Sequence, residues 1–144
     1  MAGTEQEVRI AVSPADFFSV ISDYASYPEF LEEMEETTVL SRNDGVVDAR
    51  FTVNLVKRVT YTLTLVEHAP NSVTWSLKEG PFKVSNGHWK LEALPNGHTL
   101  AKYHVEVKVA AFVPKSISSR VVGKTVPALL ASFKARAENL YGGQ

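Results

Sequence analysis

The sequence predicts an α+β fold, a curved antiparallel sheet of about seven strands wrapped around a long C-terminal helix, with two short helices after the first strand. Three observations predict it. From Val47 to Val109 the apolar residues of the extended stretches keep odd numbers, and polar residues such as Arg50, Thr62, Thr64, Thr74, Lys90 and Glu106 fall between them. Successive strand side chains point to opposite faces, so this alternation describes a sheet with one wet and one apolar face. A helix-start signature follows the first strand, and the C-terminal stretch carries an apolar stripe at helical spacing. A one-sided sheet must cover its apolar face, and that last helix is the element long enough to do so.

Taken in order, Val8, Ile10 and Val12 alternate with polar or small residues as a first strand. Ser13-Pro14-Ala15-Asp16 supplies a serine N-cap, a proline in the first turn and an acid placed for the helix dipole. Phe17, Phe18, Val20 and Ile21 give that helix its apolar stripe, and Pro28 is expected to open a second short helix. Strands are expected at 37–42, 46–55, 57–67, 72–78, 84–94 and 98–109. Asn43-Asp44-Gly45 and Ala69-Pro70-Asn71 read as turns. At Pro95-Asn96-Gly97 the parity rule selects a three-residue loop with Gly97 left-handed, which sets Trp89 opposite Tyr103 and His88 opposite His104. From Pro114 to Leu140 the chain is rich in helix formers, with Val126, Leu129, Leu130, Phe133, Ala137, Leu140 and Tyr141 on one stripe. Gly123 and Pro127 predict a kink or break near 123–127, and Gly142-Gly143 ends the helix.

Composition narrows the function. The 144 residues are expected to form one domain spanning 1–144. A formal net charge of −1 provides no field that would draw nucleic acid, so no DNA partner is expected. The absence of cysteine excludes disulfides, thiolate nucleophiles and cysteine-ligated metal. The acidic start Met1–Glu7 lacks the apolar core of a signal peptide, and no apolar run approaches the roughly 20 residues of a spanning helix. A cytoplasmic protein, with peripheral membrane contact as an option, is the expectation.

Ionisable chemistry is placed on the wrong side for catalysis. By phase Arg50, Arg58, His88, Glu92, His104 and Glu106 point outward, and no phosphate loop, GxSxG or HExxH motif occurs. No catalytic residue, metal or cofactor is therefore assigned. The facing pair His88 and His104 reads as solvated surface. So does the acidic run Glu29, Glu32, Glu33, Glu35 and Glu36. Lys115, Arg120, Lys124, Lys134 and Arg136 read mostly as the wet face of the C-terminal segment. Leu55 and Val56, beside Lys57-Arg58, form an apolar loop tip that either folds inward or touches a membrane. On the apolar face, buried Trp and Tyr need hydrogen-bond partners, and few are on offer. Tyr61 and Tyr103 are the candidates for orienting the polar end of a ligand.

Asp23-Tyr24 with Tyr27-Pro28-Glu29-Phe30-Leu31, then Gly80-Pro81-Phe82 with Trp89, then Phe133–Ala137 with Tyr141-Gly142 stand in three separated regions. With these motifs the chain resembles the START-like (SRPBCC) superfamily, in the branch of coenzyme-Q-binding, polyketide cyclase-like and ribosome-association toxin proteins. The resemblance implies a helix-grip fold that binds a quinone, isoprenoid, lipid or polyketide-like molecule between sheet and helix, without catalysis and for transport or chaperoning. It also carries two alternatives, a polyketide aromatase/cyclase and a ribosome-associated interaction protein. On this chain the implied walls are Phe51, Tyr61, Leu63, Trp75, Leu77 and Trp89, continuing through Leu91, Tyr103, Val105, Leu130, Phe133 and Ala137. Phe30 and Phe82 are expected near the mouth. Leu91 stands where the branch usually has an aromatic residue, a departure expected to enlarge or reshape the pocket.

Overall fold

The computed structural model describes residues 2–54, 57–109, 116, 119 and 121–142. The alternating stretches form one seven-stranded antiparallel sheet in the order β1-β7-β6-β5-β4-β3-β2. The strands are β1 (Ala2–Ile10), β2 (Met34–Asn43), β3 (Val46–Asn54), β4 (Arg58–His68), β5 (Ser72–Glu79), β6 (Phe82–Ala93) and β7 (Thr99–Val109). Helix α1 (Pro14–Ile21) and a 3₁₀ helix (Tyr24–Glu29) separate β1 from β2. Val121–Thr125 form a π-type turn that leads into helix α2 (Val126–Tyr141). The helix-grip fold expected from the sequence is the fold observed.

Register follows the parity argument. Trp89 pairs with Tyr103 and His88 with His104. The β6–β7 hairpin closes through Gly97 N–H to the Leu94 carbonyl at 2.9 Å, with Gly97 at φ 85°. Inner-face residues are buried along the sheet, among them Val47, Ala49, Leu65, Val73 and Ala101. The outer face carries ion pairs such as Lys78–Asp48 at 2.6 Å and Lys102–Glu92 at 3.0 Å. Ser13 caps α1 as expected, its Oγ accepting from the Asp16 N–H at 3.2 Å with Pro14 in the first turn. Ser13→Ala is expected to lower stability by about 1 kcal/mol in chemical denaturation.

Four elements differ from the sequence expectation. Strand β1 begins at Ala2, because β7 offers a partner along its whole length, from Ala2↔Val107 to Ile10↔Thr99. Strand β6 begins at Phe82, where a bulge between Phe82 and Val84 resets parity and turns an even-numbered phenylalanine inward. Pro28 does not open a helix. It sits near the end of a 3₁₀ helix, where Tyr24 and Tyr27 are the buried residues. At the C-terminal helix the break expected near 123–127 is found where the π-type turn gives way to α2 at Val126, and Pro127 falls in the first turn, where its missing N–H breaks no intrahelical bond. Leu140, expected on the apolar stripe, is 47 % exposed, because the buried face of α2 runs through Val126, Leu130, Phe133 and Ala137. Leu55, Val56, Lys115, Arg120 and most of the stretch from 110 to 120 lie outside the described residues.

Candidate ligand cavity

Helix α2 closes tightly over the sheet at one end only. In its C-terminal half, the Lys134 ammonium donates to the Arg9 carbonyl at 2.7 Å and pairs with Glu138 at 2.8 Å. Glu138 in turn accepts from the Ala11 N–H at 2.9 Å. Lys134 first, and the Ala11 N–H second, hold the Glu138 carboxyl below its usual pKa. A depressed carboxylate stabilises the fold above its unfolded pKa, about 4.3, and that contribution is lost as pH falls through the lower folded value. The melting-temperature difference between wild type and Glu138→Gln is therefore expected to be constant near neutrality and to vanish in acid. Phe17 of α1 wedges under the helix, edge-on to Trp89 at 5.4 Å and to Phe133 at 6.5 Å.

Toward the other end, the N-terminal half of α2 stands off the sheet and leaves a cavity of about 270 Å³. Its wall is a chain of aromatic contacts. Phe133 meets Trp89 at 5.4 Å, Trp89 meets Tyr103 at 4.7 Å, and Tyr103 meets Trp75 at 5.5 Å. On the other flank Tyr61 stacks on Phe51 at 5.6 Å and meets Phe82 edge-on at 5.5 Å. An apolar cavity of about 150 Å³ takes up benzene, so this one has room for roughly two or three fused rings.

Of the residues singled out from the sequence, Phe51, Tyr61, Leu63, Trp75, Phe82, Trp89, Tyr103, Val105 and Phe133 stand on this wall. Phe30, Leu77, Leu91, Leu130 and Ala137 do not. Phe30 follows the 3₁₀ helix and packs beside Phe133 at 5.3 Å under the Arg136 guanidinium at 5.0 Å, next to the wall. Leu130 and Ala137 are buried on the face of α2 that closes the fold. Leu91 is buried opposite Ala101 on the inner face, off the part of that face that lines the cavity. Leu77 lies beyond Trp75, toward the Gly80 turn.

Further residues, not assigned to the site one by one from the sequence, complete the cavity. Tyr24, Tyr27, Leu31 and Met34 line the cavity from above, and Ala128, Leu129 and Ser132 line it from α2. Tyr24, Tyr27 and Leu31 had a signal, since they belong to the Asp23-Tyr24 and Tyr27–Leu31 motifs, and Leu129 lies on the helical stripe; Met34, Ala128 and Ser132 had none.

The tyrosine hydroxyls differ in what they bond. Tyr24 Oη donates to Glu67 at 2.7 Å, and Glu67 is held by Arg42 at 2.8 Å. Tyr27 Oη donates to the Ile21 carbonyl. For Tyr61 and Tyr103, no hydroxyl partner exists among the described residues, and both rings face the cavity. Burial pushes Tyr61 up to about 12. Burial, with a smaller contribution from Tyr61, also raises Tyr103. Both therefore stay protonated near neutral pH and can donate to a ligand oxygen.

Charged groups on the wall lie at the mouth, where Glu32 and Lys124 are exposed and the Thr125 hydroxyl donates to Glu33 at 2.8 Å. The acidic run is thus more than solvated surface. Glu29 holds Arg136 at 3.1 Å, Glu35 holds Arg58 at 2.8 Å, and Glu33 spans the mouth. Lys134 and Arg136 are tethers too, not a free wet face. His88 and His104 stack at 5.2 Å on the outer face. Among the described residues, no group of three or more His, Asp or Glu side chains is placed to hold a metal ion.

A curved sheet gripping a C-terminal helix over an aromatic cavity defines a START-like domain. The chain belongs to the polyketide cyclase/dehydrase and lipid transport family, whose pattern matches residues 10–134. It is similar to the ribosome association toxin RatA of Vibrio cholerae serotype O1, 22 % identical over 143 residues and covering 99 % of each chain. A START superfamily protein from Mycobacterium smegmatis superposes with a TM-score of 0.85 at 24 % identity, covering 97 % of this chain and 99 % of that one. The Zhui aromatase/cyclase from Streptomyces sp. R1128 also superposes with a TM-score of 0.85, at 17 % identity, covering 95 % and 93 %. No helix among the described residues is long and apolar enough to cross a membrane.

Proposed function

We propose that this protein binds, without transforming it, a compact hydrophobic molecule of two or three rings that carries an oxygen, and that it carries or shelters that molecule. The observation behind this reading is the pair of Tyr61 and Tyr103 hydroxyls, without a partner among the described residues, in a largely apolar wall. Each is a donor on the cavity wall, Tyr103 buried and Tyr61 partly buried, whose satisfaction by a ligand carbonyl or phenol is worth about 0.5–1.5 kcal/mol. Burial of ring surface at roughly 25 cal/mol per Å² supplies the rest of a micromolar affinity. Quinones and polyketide-like ring systems fit this description, and a long acyl chain fits the volume less well.

Both tryptophans of the chain, Trp75 and Trp89, stand on the wall, so intrinsic fluorescence reports occupancy directly. Titration with menadione (a methylated naphthoquinone) is expected to quench the emission saturably at micromolar concentration. Unchanged emission at solubility-limited concentrations of menadione and of a hydroxylated anthracene would contradict the reading.

Ribosome association is a second reading, favoured by the full-length match to the RatA toxin. Co-sedimentation with ribosomal subunits, abolished by Lys124→Glu in the exposed turn that leads into α2, would support it. An aromatase/cyclase activity like that named for the Zhui protein would show as turnover of a polyketide mimic that depends on Tyr61 or Tyr103.

A further inference from the structure

The sheet is split between its two central hairpin strands. Pairing of β5 with β6 runs from Ser72↔Lys90 to Trp75↔Gly87 and stops there, although β5 continues to Glu79 and β6 starts at Phe82. Each strand follows its other neighbour. The end of β5 stays on β4 through Leu63↔Leu77 and, after a bulge, Thr62↔Glu79. Gly80 comes so near to β4 that a Cβ there would lie 2.7 Å from the Tyr61 Cβ. The start of β6 stays on β7 through Asn86↔Glu106, Ser85↔Val107 and Phe82↔Val109. Stretches 76–79 and 82–86 therefore face each other without a ladder.

The cavity reaches this split from inside, because Trp75, Phe82 and Ser85 are on its wall. At the point where pairing ends, the Trp75 indole occupies the space above Gly87, 2.7 Å from where a Cβ would sit. The Ser85 hydroxyl has no partner among the described residues. On the outer side the lips carry Ser76, Lys78 and Asn86, all exposed. Strand edges without a ladder present N–H and C=O groups that need partners, and such edges take up extended chains able to supply them.

We propose that this slot is a second ligand subsite, one that receives a short amide- or ester-bearing chain running outward from a ring held in the cavity. The proposal rests on the cavity reading above and adds a direction and a chemistry to it. A ring system fills the cavity, and the chain leaves sideways through the sheet, past Trp75 and Ser85, and not through the mouth at Glu32 and Lys124. The backbone edges and the Ser85 hydroxyl hydrogen-bond its amides, whereas an alkyl chain of the same length leaves them bare.

Three probes separate the two readings: naphthol, naphthol with a diamide tail, and naphthol with an alkyl tail of equal length. The diamide compound is expected to bind about tenfold more tightly than naphthol, the value of one or two net hydrogen bonds, and the alkyl compound is expected to gain less. In amide NMR spectra the diamide compound alone should shift residues 76–78 and 84–86. Shifts at Glu32–Met34 and Lys124 in their place, or equal affinity of the two tailed probes, would overturn the slot and leave the cavity reading standing. Failure of naphthol itself to perturb Trp75 and Trp89 would overturn both. The chain lacks cysteine, so a Ser76→Cys/Asn86→Cys pair provides a reversible clasp. Oxidised, it should abolish the preference for the diamide tail while naphthol still binds; retention of that preference with the clasp closed counts against the slot.

Discussion

Tyr103→Arg is expected to abolish binding of menadione, with affinity reduced at least about a hundredfold. Tyr103 is buried beside Trp75 and Trp89 on the cavity wall, and its hydroxyl has no partner among the described residues. A guanidinium there brings an uncompensated charge into a space whose charged groups stand only at the mouth, and its stem fills volume that a ring would use. Tyr103→Phe separates the two effects. It keeps the ring packing, removes only the donor, and is expected to weaken binding about three- to tenfold. Circular dichroism confirms whether each variant is folded, and fluorescence titration reads the affinity. A folded Tyr103→Arg protein that binds menadione as wild type does would place the site elsewhere.

Phe133→Ala is expected to be the most destabilising single truncation in the chain, at about 4 kcal/mol in chemical denaturation. The ring is 2 % exposed. It contacts Tyr27 at 5.2 Å, Phe30 at 5.3 Å, Trp89 at 5.4 Å and Phe17 at 6.5 Å, joining the 3₁₀ helix, α1, α2 and the sheet. Its removal also merges the new void with the existing cavity. Hydrophobic ring compounds are therefore expected to restore part of the lost stability in Phe133→Ala, seen as a larger ligand-induced rise in melting temperature than in wild type. A loss below about 1 kcal/mol would show that the helix is held chiefly by its polar tethers, Lys134–Glu138 and Arg136–Glu29.

The parts of the fold that were legible in the sequence are those in which one periodicity runs undisturbed. Odd parity carries from Val47 to Val107, so the inner face and the Trp89–Tyr103 pairing followed from residue numbers alone. Parity fails where a bulge intervenes, as at Phe82, and where a strand borrows its order from a neighbour, as β1 does from β7. The cavity wall was legible for the same reason as the sheet, since its sheet-borne members are inner-face residues. Which inner-face residues meet empty space and which meet helix was not legible. Leu91 and Trp89 share a face, yet only Trp89 reaches the cavity, because α2 closes at its C-terminal half and stands off at its N-terminal half. Tethers across long sequence separations, such as Ala11 to Glu138 and Thr125 to Glu33, set that tilt, and no local pattern announces them.

The split between β5 and β6 has the same origin. In the sequence Gly80 stands out only within the Gly80-Pro81-Phe82 motif, and Gly87 not at all. In the structure Gly80 lets the end of β5 lie against Tyr61, and Gly87 gives its inner-face space to Trp75. Both are consequences of close approach between elements, which appears only once the sheet is assembled.

Organic extraction of the purified protein, followed by mass spectrometry of the extract, tests the central claim most directly. A cavity that sequesters a ring ligand through Tyr61 and Tyr103 predicts a neutral, oxygen-bearing ring compound in near-stoichiometric amount from wild type, and none from folded Tyr103→Arg. Equal recovery of the same compound from both proteins, or recovery of straight-chain lipid alone, would contradict it.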